Sequence, residues 1–168
     1  YIFGGGKEAV TGNTNVNLND LIVNKAVYGG GDAASVTDVI LNINNTTIGS
    51  ENEKGNVYCG GNDAKVDGNI ITVMDNSTRV YGNFYSGGNN GDVTDIITSD
   101  INNSYISDNV FGGGNKASIG NGTDDVASYL TINNSSICNV YGGGSAAPVL
   151  GSTNVVLKNA NITCNVYG

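Results

Sequence analysis

One short phrase returns along the whole of this 168-residue chain: an apolar residue, an aromatic, then Gly or another small residue. Its copies are Ile2-Phe3-Gly4, Val27-Tyr28-Gly29, Val57-Tyr58-Cys59, Phe84-Tyr85-Ser86, Val110-Phe111-Gly112, Val140-Tyr141-Gly142 and Val166-Tyr167-Gly168. Successive aromatics stand 25, 30, 27, 26, 30 and 26 residues apart. A period of this length marks a solenoid, whose units are too small to bury an apolar face alone and do so against their neighbours. The longer units carry extra polar residues, Ser50 to Gly55 in one and Gly120 to Asp124 in the other. Insertions confined to turns are what such a stack tolerates.

Other columns keep the same register. Six residues after each aromatic stands a small residue (Ala9, Ala34, Ala64, Gly91, Ala117, Ala147), and two further on an aliphatic one (Val36, Val66, Val93, Ile119, Val149, with Thr11 the exception). Turn residues follow, then an alternating stretch such as Val16-Asn17-Leu18 or Leu41-Asn42-Ile43. A last short stretch ends on Val23, Ile48, Val80, Ile106, Ile137 or Ile162, and Asn56, Asn83, Asn109, Asn139 or Asn165 precedes the next phrase. Alternation with period 2 turns one side of each stretch inward. Strand formers interleaved with 26 Gly and many Asn, against a single Pro, leave little room for helix.

The expected fold is all-β: a right-handed parallel β-helix of about six coils of 25–30 residues, with three short strands per coil stacked about 4.8 Å apart. Residues 1–168 read as one segment. Because the phrase stands at both ends, the segment is expected to be a piece of a longer array, with terminal strand edges open to end-to-end association or to neighbouring repeats.

The repeats resemble the VYGGG-type β-helical regions of large secreted or cell-surface proteins of Gram-positive anaerobes. The resemblance spans all seven copies of the phrase. It implies an extracellular, wall-associated bacterial stalk or adhesin, and it brings no catalytic residues with it.

Seven basic residues against fifteen acidic ones, a net charge of −8, argue against nucleic acid, which needs clustered Lys and Arg. No apolar run reaches membrane-spanning length. The Gly runs are followed by strand rather than helix, so they are not phosphate loops. No nine-residue Gly/Asp period announces a calcium roll, and no CxxC pair a zinc site, so no metal or other cofactor is expected. A polysaccharide lyase or hydrolase would need paired acids, or acids among basic residues, and only Asp124-Asp125 stand together. An enzyme is not expected.

Two features are left as candidate sites. If the Val column faces the core, alternation turns Tyr28, Tyr58, Tyr85, Phe111, Tyr141 and Tyr167 outward as a ladder, with Phe3 at its start. Such a ladder either covers the coil edge, ring on ring, or offers an exposed band that grips glycan or a host receptor. Cys138 and Cys164 each lie three residues before an aromatic in consecutive coils. Coil spacing suits a disulfide between them, the alternative being two reduced Cys in a column; Cys59 has no partner in register. The function expected from these features is a structural stalk, spacer or filament-forming segment, with the adhesin-type binding module as the second reading.

Overall fold

A computed structural model describes all 168 residues, and it consists of strands and turns with no helix. The chain winds as a right-handed parallel β-helix of about six turns. The alternating stretches form the long face: Thr14–Asn19, Val39–Asn44, Ile70–Asp75, Ile97–Asn102, Val126–Asn133 and Ser152–Lys158 pair in order as one parallel six-stranded sheet. The short face begins with Ile22–Val23, Thr47–Ile48 and Arg79–Val80, and the aromatic face with Ile2–Phe3, Val27–Tyr28, Val57–Tyr58 and Phe84–Tyr85. Three strands per coil is not uniform. Tyr105–Phe111 and Ser136–Tyr141 each run through both of the latter faces, and so tie them into one eleven-stranded sheet.

The register repeats the columns of the sequence. Val27 pairs with Val57 and Tyr28 with Tyr58, while Val36, Val66, Val93, Ile119 and Val149 make a line of single parallel bridges. Main-chain donors point along the stack: the Val27 N–H donates to the Asn56 carbonyl and the Gly29 N–H to that of Tyr58, both at 3.0 Å. Every coil thereby satisfies the polar backbone of its neighbour, which is what lets short strands persist without a hairpin.

Period-2 alternation fills the bore. Val39, Leu41 and Ile43 are buried while Ile40 faces outward, and the same pattern recurs one coil later at Ile70, Thr72 and Met74. Val27, Val57, Val110 and Val140 are fully buried, with Phe84 in the same column, and they belong to one core cluster of 26 residues.

Each long strand ends at a corner made by one left-handed residue. Asp20, Asn45, Asn76, Asn103, Asn134 and Asn159 have φ between 43° and 55°. Asn and Asp tolerate this region better than other residues bearing a Cβ, which explains an Asx column where no Gly stands. Ser77 adds a second left-handed residue and absorbs one extra residue in its coil. Behind the corner lie buried hydroxyls: Ser104 Oγ donates to the Asn102 carbonyl at 2.6 Å, Ser135 Oγ to that of Asn133 at 2.9 Å. The third Gly of each triplet makes another tight corner. A Cβ on Gly31 would strike the carbonyl oxygen of Ala34, so the chain can close there only without one.

Candidate functional site: the aromatic ladder and its flanking columns

Because the Val of each phrase points into the bore, the ring beside it points out of it, and the repeat places the rings one above another. Phe3, Tyr28, Tyr58, Tyr85, Phe111, Tyr141 and Tyr167 form a continuous stack with centroids 4.7 to 5.0 Å apart and planes within 12° of parallel. The strand spacing dictates this distance, and rings in register have no choice but to stack face on face.

The ladder is not the exposed band that one of the two sequence readings required. Tyr28, Tyr58, Tyr85 and Phe111 are only 6 to 9 % accessible and form, with Ala26, a buried cluster separate from the core. Each ring hides the faces of its neighbours, so Tyr28, Tyr58, Tyr85 and Phe111 leave no face for a sugar or a receptor. The packing also moves the phenols: burial pushes Tyr28 and Tyr85 up to about 12, with the Tyr58 phenol adding to the effect. Tyr58 is raised by the same burial, opposed by the Asn56 side-chain amide, which donates to its hydroxyl at 3.1 Å.

Amide ladders flank the rings. Asn109 Nδ2 donates to Asn83 Oδ1, Asn139 to Asn109 and Asn165 to Asn139, at 2.8 to 3.1 Å. This is the Asn column that precedes each phrase. A second ladder runs on the other side, from Asn115 to Asn89 to Asn62 to Asp32, at 2.8 to 2.9 Å. Sequence reasoning missed it. Its signal was a polar residue four positions after consecutive aromatics, hidden by the variable residues around it.

Cys138 and Cys164 are joined by a disulfide between adjacent coils, with Cα atoms 4.8 Å apart. Cys59 is fully buried and unpaired, and burial pushes its thiol up to about 12, which leaves it un-ionised and unreactive at neutral pH. Around it the bore turns polar: the buried hydroxyls of Thr72 and Ser99 face the Cys59 thiol, and that of Ser86 is buried without a hydrogen-bond partner.

Asp124 and Asp125 lie in the inserted loop, where Asp125 is exposed and its carbonyl accepts from the Ser152 N–H. No group of three or more His, Cys, Asp or Glu side chains is placed to hold a metal ion, and no helix is long and apolar enough to cross a membrane. No known family model, curated protein or solved structure matches the chain.

Proposed function

We propose that this segment is a structural spacer: a stiff run of coils that projects or joins other parts of an extracellular bacterial surface protein. The observation that carries the reading is the unbroken stack of seven rings from Phe3 to Tyr167. Each ring contributes to stability through the ring above and the ring below. The stack therefore strengthens the axial direction, in which a stalk bears load, and leaves the ring faces covered. Amide ladders on both sides add side-chain bonds in the same direction. The Cys138–Cys164 bridge is of a kind that persists in oxidising, extracytoplasmic surroundings and supports the location. Main-chain groups at the outer edges of the first and last coils are suited to pairing with a further coil, of this protein or of a second copy, in the register used inside.

Pulling the chain from its two ends in an optical trap tests the spacer. A coil of 26 residues extends to about 90 Å at 3.3–3.6 Å per residue. Stepwise release in increments of that size, at forces that fall when Tyr58 and Tyr85 are replaced by Ala, is the expected result. Extension without resolved steps would count against a load-bearing role. Antibodies against the segment should label intact cells of the source organism; labelling only after lysis would overturn the location.

A further inference from the structure

The short face carries a groove that the spacer reading does not use. It runs as an open groove along the left-handed corner column across four coils, from Ser77 and Arg79 to Asn159 and Asn161, with a volume of about 390 Å³. Its lining is Asn and Ser apart from Arg79 and Tyr105, so it offers donors and acceptors rather than apolar surface.

Two of the groove's four amides are already engaged, since Asn161 Nδ2 donates to Ser136 Oγ at 3.4 Å and Asn103 is bonded outside the groove. Asn134 and Asn159, exposed on left-handed corners, engage no other side chain, and Asn103 gives one Nδ2 bond to Asp75 at 2.8 Å. Arg79 is the chain's only Arg, and its guanidinium makes no ion pair, as Lys116 and Lys158 make none, while Lys7, Lys25, Lys54 and Lys65 each sit against a carboxylate. It lies 5.7 Å from the centre of the Tyr105 ring, one coil along, and Tyr105 in turn meets Tyr81 edge to face at 6.1 Å. The ring thus holds a weakly hydrated, planar cation at one end of a row that includes the free amides of Asn134 and Asn159.

We propose that this groove binds an acidic oligosaccharide, with a sugar carboxylate on Arg79 and sugar hydroxyls on the exposed amides of Asn134 and Asn159 beyond it. A guanidinium matches a carboxylate through two parallel N–H donors, and an unpaired one in a groove with no lining carboxylate, the Asp75 acid being bonded to Asn103, is a local attraction on a chain of net charge −8. A sugar chain presents a hydroxyl cluster at each ring, and the corner amides recur once per coil, close to the length of one pyranose. Tyr105, 37 % accessible, offers the first sugar ring apolar surface beside the cation. A nucleic acid would bring many phosphates to a groove with a single cation, which does not suit it.

The test is titration of the intact 168-residue chain with tetramers of glucuronic and of galacturonic acid and with their neutral parent sugars, followed by calorimetry and by amide chemical shifts. At least one uronic tetramer is expected to bind more tightly than its neutral parent, with shifts centred on Asn103, Asn134 and Asn159. Arg79→Gln should weaken that binding about ten- to a hundredfold, as loss of a charge-assisted pair does, and Arg79→Lys should restore only part of it. Arg79 is exposed, so both variants should keep the wild-type circular dichroism spectrum. The proposal is overturned if neither uronic tetramer outbinds its neutral parent, or if Arg79→Gln leaves the affinity unchanged.

Discussion

Thr72 lies beside Cys59 in the bore, at the place where a Cβ on Gly4 would meet Val16 in the first coil and one on Gly142 would meet Val155 in the last. The residues concerned are columns of the same register: Val16, Leu41, Thr72, Ser99, Leu130 and Val155 are aligned along the long face. Where the first small residue of the phrase is Gly, the long face supplies a branched aliphatic. Where it becomes Cys59 or Ser86, the long face shrinks to Thr72 and Ser99. Phe84, the largest core side chain, occupies the Val position between them. Volume is conserved coil by coil, as close packing requires.

This exchange predicts coupling. Thr72→Leu removes the hydroxyl that faces the Cys59 thiol and crowds its sulfur, so alone it should cost about 1–3 kcal/mol. Cys59→Gly alone leaves a void. The double variant restores the arrangement of the neighbouring coils and should exceed the sum of the singles by about 1–3 kcal/mol in urea unfolding. Additive singles would show that the two side chains do not share a space.

Ring position sets the cost of truncating the ladder. Tyr85 stacks on Tyr58 at 4.9 Å and on Phe111 at 5.0 Å and is 6 % accessible, so Tyr85→Ala should cost about 3 kcal/mol, the loss of a buried ring. Tyr167 stacks on one side only and is half exposed, and Tyr167→Ala should cost about 1 kcal/mol. Equal and small losses from thermal or urea midpoints would mean that the stack contributes nothing beyond coverage.

The phenols make stability fall in alkali. A phenol whose folded pKa is about 12 against an unfolded value of 10.0 keeps its proton in the fold and loses it first in the unfolded chain. Its contribution is therefore complete below pH 10 and is lost as pH rises through 12. Urea midpoints should stay level on approach to pH 10 and then drop. Replacing Tyr28, Tyr58 and Tyr85 together by Phe should flatten the drop, and an unchanged slope would remove these phenols as its cause.

The disulfide should act locally. A bridge with a sequence separation of 26 restrains the unfolded chain by about 3 kcal/mol, and it ties only the last two coils. Replacing Cys138 and Cys164 by Ser should speed amide exchange between Ser136 and Tyr167 and leave Val39 to Met74 protected, since a solenoid couples only neighbouring coils. Uniform loss of protection would show that the six coils unfold as one unit.

The repeat phrase alone decided the fold. Its period gives the coil, its alternation sends Val27, Val57, Val110 and Val140 inward, and its register puts Cys138 over Cys164, because parallel stacking maps equal sequence offsets onto equal positions in space. What alternation cannot decide is accessibility. It turned Tyr58 and Tyr85 away from the bore correctly, but whether a ring facing outward is wet depends on the rings above and below it, and at a spacing near 4.8 Å flat rings cover one another. The tertiary structure also settled which amides are spent and which are free. Asn109 and Asn134 are the same residue in the sequence, yet one is bonded along a ladder and the other stands on a left-handed corner with its amide in solvent. That difference arises from backbone dihedrals and neighbouring coils, as does the meeting of Arg79 with Tyr105, which lie 26 positions apart in the chain and one coil apart in the fold.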